Sequence, residues 1–242
     1  MGVQKVLHKI TNRGAKCAAV IVAAGSAKRM EGTDKIMAEL CGEPLILHTL
    51  RAFQESDDIQ EIVLVTRDDL LQPLSELCVA KKITKITKLC KGGETRAASV
   101  QAGLDQVSKN CGFVAIHDGA RPLVTGQIIH DAVRKAAKFN AAAPAVPVKD
   151  TIKEVHGGIV TATPERSALW AVQTPQVFEI NLYRAALDQA IANKKEITDD
   201  CSAAEGYGVN VVITPGSDEN LKVTTPTDLI LAEALLKRRE KK

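Results

Sequence analysis

Four short apolar runs constrain this chain more than anything else in it: 17–23 (CAAVIVA), 61–66 (EIVLVT), 112–116 (GFVAI) and 209–214 (VNVVIT). They are rich in β-branched residues and read as strands. Helical patterns lie between them, at 44–56 with Pro44 suited to a first turn, at 69–80, at 94–107, and at 125–139 opening at Thr125. Strand and helix alternating in this order predict an α/β domain, a mainly parallel central sheet flanked by helices. Such sheets bind ligands beyond the carboxyl ends of their strands. The loop after the first run, AAGSAKRMEGTDK, therefore stands where a site belongs.

One segment breaks the alternation. VKDTIKEVHGGIVTATPERSALWAVQTPQVF holds two short strand-like runs joined at His156-Gly157-Gly158, the pattern of a β-hairpin. A hairpin projecting from an α/β core exposes edges and apolar side chains unless something covers them. The expected cover is a second subunit; a hairpin folded back on its own domain is the alternative.

Composition excludes several classes. The chain's 242 residues suit one domain, and 45% hydrophobic with 25% charged residues is the make-up of a soluble globular protein. A net charge of +3 gives nucleic-acid binding no support, and 3% aromatics argue against a single-strand binder that stacks bases. The six cysteines form no Cys-x-x-Cys pair and no zinc-type cluster, so buried thiols in a reducing cytoplasm are expected. The basic N-terminal stretch lacks the apolar core of a signal peptide, and no run approaches the roughly 18 apolar residues of a membrane span. The terminal KRREKK reads as a solvated helix end.

In the first loop, Gly25 suits a tight turn and the small Ala23, Ala24, Ser26 and Ala27 let a ligand approach the backbone. Successive amides there make an anion site, while Arg29 adds a planar fork of donors and Lys35 a mobile point charge. A polyphosphate fits; a merely solvated basic loop fits composition alone. Neither a P-loop nor a Gly-x-Gly-x-x-Gly fingerprint occurs. GGETRAASV (92–100) sets Glu94, Arg96 and Ser99 at a helix start, which favours an anion or a polar base edge, or serves simple capping. AIHDGARP (115–122) ends a strand on His117-Asp118, where the aspartate takes a ribose hydroxyl or a metal-bound water, or forms a turn. DENLKVTTPTDL (218–229) leads a short strand carrying Lys222 into a helix begun at Pro226; taken alone, Lys222 reads as one more surface lysine.

These stretches, with TIKEV, ERSALWAVQTPQVF, TDDCSAAE and ENLKVTTPTDLILAEALL, occur in one order from about residue 17 to 237. Together they resemble the 2-C-methyl-D-erythritol 4-phosphate cytidylyltransferase family. The first glycine loop is shared by many sugar nucleotidyltransferases; HDGARP, the TPQ-F stretch and the Lys222 stretch are far more specific. The resemblance implies a nucleotide-diphospho-sugar transferase-like fold over 17–242 after an N-terminal extension (1–16). It also implies a protruding β-arm, about 148–172, that builds a homodimer.

By the same resemblance Arg29 and Lys35 hold the CTP phosphates, and Lys222 reaches the α-phosphate from the far side of the cleft. Ala23, Ala24 and Gly25 line the nucleotide; Gly93, Glu94 and Ser99 read cytosine. Asp118 and Gly119 lie by the ribose or the second substrate. Arg121, with Thr151 and Arg166 of the arm, holds methylerythritol phosphate partly across the dimer interface. The implied reaction is attack of a sugar-alcohol phosphate on the α-phosphorus of CTP, with Mg²⁺ carried mainly on the CTP phosphates. The acceptor is already a dianion, so no general base is needed, and His117 as a general acid is disfavoured because pyrophosphate leaves well on metal.

The chain departs from the family at Ala27, where glycine is usual, at Lys28, and at Ile36, where glutamine is common after the lysine. Ribitol-5-phosphate cytidylyltransferase is the sister alternative, with the same chemistry on another acceptor. A catalytically inactive nucleotide-binding regulator is the alternative from another class, although Arg29, Lys35 and Lys222 are all retained. A nicotinamide-dependent oxidoreductase lacks its glycine fingerprint.

Overall fold

A computed structural model describes residues 16–25, 34–195 and 197–240. In chain order its elements begin with β1 (Lys16–Ala23), the short pair β2 (Glu39–Leu40) and β3 (Glu43–Pro44), α1 (Leu45–Glu55) and β4 (Ile59–Thr66). Next come α2 (Leu71–Ala80), β5 (Ile86–Lys91), α3 (Arg96–Gln106), β6 (Cys111–Asp118), α4 (Gly126–Phe139) and β7 (Ala141–Pro147). The remainder is β8 (Glu154–His156), β9 (Ile159–Ala162), β10 (Trp170–Val172), β11 (Gln176–Glu179), α5 (Ile180–Ala192), α6 (Asp200–Gly206), β12 (Val212–Pro215) and α7 (Pro226–Glu240).

Eight strands form the main sheet, in the order β10-β7-β11-β6-β1-β4-β5 with β12 beside β7. Strands β5, β4, β1 and β6 run parallel; β4, β1 and β6 are runs the alternation predicts, whereas β5, ITKLCK, is not among them. In β1, β4 and β6 the buried runs are nearly continuous because helices cover both faces, while the edge strand β5 stays half-exposed. One face packs Ile21, Leu64, Phe53 and Ile129; the other packs Val20, Val63, Val100 and Tyr183. The helices start where hydroxyls can cap them: Thr95 accepts from the Ala98 amide and Thr125 from the Ile128 amide. The site is thereby placed at the carboxyl ends of β1, β5 and β6, beside the start of α3.

In the far half of the sheet only β12 is foreseen, from the run 209–214. β11 runs antiparallel between β6 and β7, β10 runs antiparallel to β7, and β12 lies parallel to β7. Residues 209–211, expected as strand, precede β12, which starts only at Val212. The short strand expected to carry Lys222 is absent: residues 221–224 form no strand. The Asp228 carboxylate accepts from the amides of Thr224 and Thr225, both at 2.8 Å, so this backbone caps α7 instead of joining a ladder. Its helix does begin at Pro226. Lys16, counted with the N-terminal extension, is the first residue of β1; residues 1–15 lie outside the described residues.

The hairpin forms as read. β8 and β9 pair antiparallel as a separate two-stranded sheet, turning at Gly157 and Gly158 with φ of +59° and +80°. Both values lie where only glycine is unstrained, as a two-residue primed turn requires. Residues 149–163 are exposed throughout, among them Ile152, Val155, Ile159 and Val160. The hairpin is thus not folded back onto its own domain. All six cysteines are free thiols; Cys17, Cys78, Cys111 and Cys201 are buried.

Candidate active site

β1 ends at Ala23, and Ala24 and Gly25 continue over the sheet edge. Across from them, Gly92 and Gly93 turn the chain from β5 into α3. A β-carbon on Gly92 would sit 2.4 Å from Ala24 Cβ and 2.7 Å from Ser99 Oγ, so only glycine lets the two loops meet. Ser99 braces this turn: its hydroxyl accepts from the Gly93 amide at 3.1 Å and donates to the Thr95 carbonyl at 3.0 Å. Between these loops opens a cleft of about 450 Å³.

Of the residues read from the sequence, Ala23, Ala24, Gly25, Lys35, Gly93, Glu94, Ser99, Asp118 and Lys222 line this cleft. Four do not. Gly119 packs beneath it, where a β-carbon would fall 2.9 Å from Ile46 Cδ1 and 3.1 Å from Ala23 Cβ. Arg121 stands behind Asp118, donating to the Asn220 carbonyl at 2.7 Å. Thr151 and Arg166 are exposed near the hairpin, Arg166 donating to the Lys149 carbonyl. Arg29 lies outside the described residues, as do Ala27 and Lys28.

Asp118 organises the charge. Lys222 Nζ lies 2.9 Å from its Oδ2, Arg96 Nε 3.5 Å from its Oδ1, and Arg121 Nε 3.7 Å from its Oδ2. Burial alone would raise this carboxyl, but Lys222, Arg96 and Arg121 outweigh it and hold Asp118 ionised, well below the usual carboxylate range. Arg96 is the contributor that sequence reasoning saw only as a helix-start residue. Its partner Asp200 was missed altogether, although it sits in the TDDCSAAE stretch already noted; no spacing rule links residues 104 positions apart.

His117 is fully buried, and burial pushes its imidazole down from 6.5 to about 3. The ring donates from Nε2 to the Arg121 carbonyl at 3.4 Å, which leaves Nδ1 to accept from the Thr174 hydroxyl at 3.0 Å. Thr174 in turn accepts from the Asp118 amide. His117 therefore positions Asp118 as a neutral spacer. Because the unfolded chain protonates this histidine near 6.5, its contribution to stability is present above that pH and is lost as pH falls toward about 3. Unfolding free energies measured across that window should slope more steeply than in His117→Gln, by about 1.4 kcal/mol per pH unit. Equal slopes would show that the buried ring titrates normally.

Lys35 is placed by its neighbours. The Asp34 carboxylate accepts from the Ile36 amide at 2.9 Å and pairs with Arg67, which follows β4. Ile36, where the family commonly has glutamine, is buried in the core. This pins the chain on both sides of Lys35. Arg67→Met should lower kcat about threefold to tenfold while the fold survives, since misplacing a charged group costs rate without removing it. Wild-type turnover in steady-state assays of that variant would show that Ile36 alone anchors the segment.

A mainly parallel sheet with a glycine-bounded cleft over its strand ends, lined by lysines, by a carboxylate held between cations and by a helix start, is the arrangement an α/β nucleotidyltransferase needs. Residues 17–238 match the family model of 2-C-methyl-D-erythritol 4-phosphate cytidylyltransferase. A protein of that name from Halalkalibacterium halodurans is 45% identical over 224 residues, covering 92% of this chain and 98% of its own. A second, from Dehalococcoides mccartyi, is 42% identical, covering 92% and 97%. The crystal structure of 4-diphosphocytidyl-2C-methyl-D-erythritol synthase from Anaerococcus prevotii superposes with a TM-score of 0.83 at 29% identity, over 93% of this chain and 99% of that one. The chain belongs to the 2-C-methyl-D-erythritol 4-phosphate cytidylyltransferase family.

Proposed function

We propose that this cleft transfers CMP from CTP to 2-C-methyl-D-erythritol 4-phosphate, releasing pyrophosphate, as a step of non-mevalonate isoprenoid precursor synthesis. The observation that carries it is Lys35 and Lys222 reaching one cleft from separate segments, with the ionised Asp118 against Lys222. An acceptor phosphate oxygen attacks the α-phosphorus, and the bond to the β-phosphate oxygen breaks with its electron pair leaving on pyrophosphate. Bringing one anion to another is the barrier, so preorganised cations matter more than proton transfer. Lys35, Lys222 and, in the same reading, Arg29 supply them. Gly93, Glu94 and Ser99 shape the base pocket at the start of α3, and Asp118, with Gly119 beneath it, serves the sugar hydroxyls.

Among the described residues, Glu94 and Asp118 are the carboxylates lining the cleft. Among the described residues no three His, Cys, Asp or Glu side chains gather into a metal site. That set suits Mg²⁺ held mostly by nucleotide phosphates and water, with Asp118 or Glu94 as outer partners. Mg²⁺ held there would supply charge neutralisation for the departing pyrophosphate. Calorimetry with CTP-Mg²⁺ and with NAD⁺ tests the nucleotide site: CTP should bind and NAD⁺ should not, and the reverse pattern would contradict a cytidylyltransferase.

The exposed apolar arm is read as the dimer contact, with Thr151 and Arg166, together with Arg121, completing the acceptor site across the interface. Val155→Glu with Ile159→Glu should convert a dimer into a monomer in analytical ultracentrifugation. It should also raise KM for the acceptor more than for CTP. An unchanged sedimentation coefficient would remove the arm from the interface. A reducing cytoplasm is the proposed compartment, in keeping with six free thiols; no helix among the described residues is long and apolar enough to cross a membrane.

A further inference from the structure

We infer that Asp200 is a positioning residue for the transfer step, acting through Arg96 on the Asp118–Lys222 pair; this rests on the CMP-transfer reading above. Asp200 opens α6, and its side chain is 1% exposed. One carboxylate oxygen accepts from Arg96 Nη2 at 2.6 Å, the other from the Tyr183 hydroxyl at 2.5 Å. Tyr183 cannot turn away, being fully buried and stacked on Phe178 with ring centres 4.5 Å apart. The start of α6 is fixed as well: Gln176 accepts from the Cys201 amide, and Asp199 caps the helix at Ser202. A rigid carboxylate thus grips the guanidinium at Nη2 while its Nε faces Asp118.

A buried ion pair is weak evidence for stability, because apolar residues of similar size often serve as well. What this one does specify is the direction of Arg96, whose planar fork spans two carboxylates as no lysine could. The consequence lies at Asp118. Of its three cations Lys222 is the most exposed, at 39% against 26% for Arg96 and 13% for Arg121. When Lys222 turns to the α-phosphate, Arg96 and Arg121 keep Asp118 ionised and in place. Without Asp200, Arg96 loses its anchor and Asp118 loses a fixed counter-charge while Lys222 is engaged. The loop 92–95 that shapes the base pocket is braced by Ser99 rather than by Asp200.

The test compares Asp200→Asn and Tyr183→Phe with the wild-type enzyme, measuring steady-state pyrophosphate release and, separately, CTP affinity by calorimetry. Asp200→Asn should lower kcat about tenfold to hundredfold, with the CTP dissociation constant within about threefold of wild type. Tyr183→Phe, which keeps the ring stack, should lower kcat in the same direction by about threefold to tenfold. A kcat within about twofold of wild type in Asp200→Asn overturns the assignment. So does a parallel fall in kcat and CTP affinity, the mark of a merely structural support for α3. If Asp200→Asn does not fold, Tyr183→Phe decides by the same criteria. Silence of the wild-type enzyme would remove the transfer reading itself, and the assignment with it.

Discussion

Lys222→Ala should lower kcat by about 10²–10³-fold and leave the fold intact. Lys222 sits on a segment held by its neighbours rather than by its own side chain. Val223 is fully buried and its amide donates to the Ala120 carbonyl at 2.8 Å, while the Asn220 side chain is fixed between Gln173 and the Thr174 carbonyl. Removing the ammonium therefore leaves the backbone where it was. Asp118 keeps Arg96 and Arg121, so no buried anion is stranded. What disappears is a mobile, half-exposed charge aimed into the cleft, at the place where negative charge builds around phosphorus. Lys35→Ala should act in the same way. Thermal melts and steady-state kinetics check both; near-wild-type turnover in both variants would remove lysine stabilisation from the mechanism.

Asp118→Asn carries the opposite balance and should cost both activity and stability. Here the neutralised group is the hub: the largely buried Arg121 loses its counter-charge, with Lys222, which reaches solvent, and Arg96, which keeps Asp200, left unscreened beside it. Stranding buried charge in this way typically costs about 3–5 kcal/mol. In a chain of this size that is a fall on the order of 10 °C in Tm. Turnover should fall at least as far as in Lys222→Ala, because the acceptor for the sugar hydroxyls and the counter-charge that aims Lys222 go together. A variant with unchanged Tm but lost activity would mean that solvent reaches the cations freely; unchanged activity would take Asp118 out of the site.

Most of the parallel half, β1, β4 and β6, was legible because its signals are local; β5, interrupted by Lys88 and half-exposed, was not. CAAVIVA, EIVLVT and GFVAI are buried on both faces and so run apolar without interruption, and Thr95 and Thr125 mark helix starts by hydroxyl caps. The antiparallel half was not. β7 has the sequence AAAPAVP, whose alanines and prolines argue against a strand; it becomes one because β11, β10 and β12 flank it and helix α4 packs over it. Lys222 was legible as a residue but not in its setting, since Asp228, a few residues on, takes the backbone amides that a strand would have paired. In the site, glycines and lysines announced themselves by spacing. Arg96, Asp200 and Tyr183 did not, because they meet only after α3, α5 and α6 have packed. His117, already disfavoured as an acid because pyrophosphate leaves well on metal, is fully buried and neutral beside Asp118.

Pyrophosphate release by the purified enzyme with CTP and Mg²⁺ tests the central claim most directly, with 2-C-methyl-D-erythritol 4-phosphate and ribitol 5-phosphate supplied in separate reactions. Release should follow the methylerythritol phosphate and stay at background with ribitol phosphate. Release with ribitol phosphate alone would contradict the proposed acceptor, and silence with both while CTP still binds would contradict catalysis itself and leave a nucleotide-binding regulator.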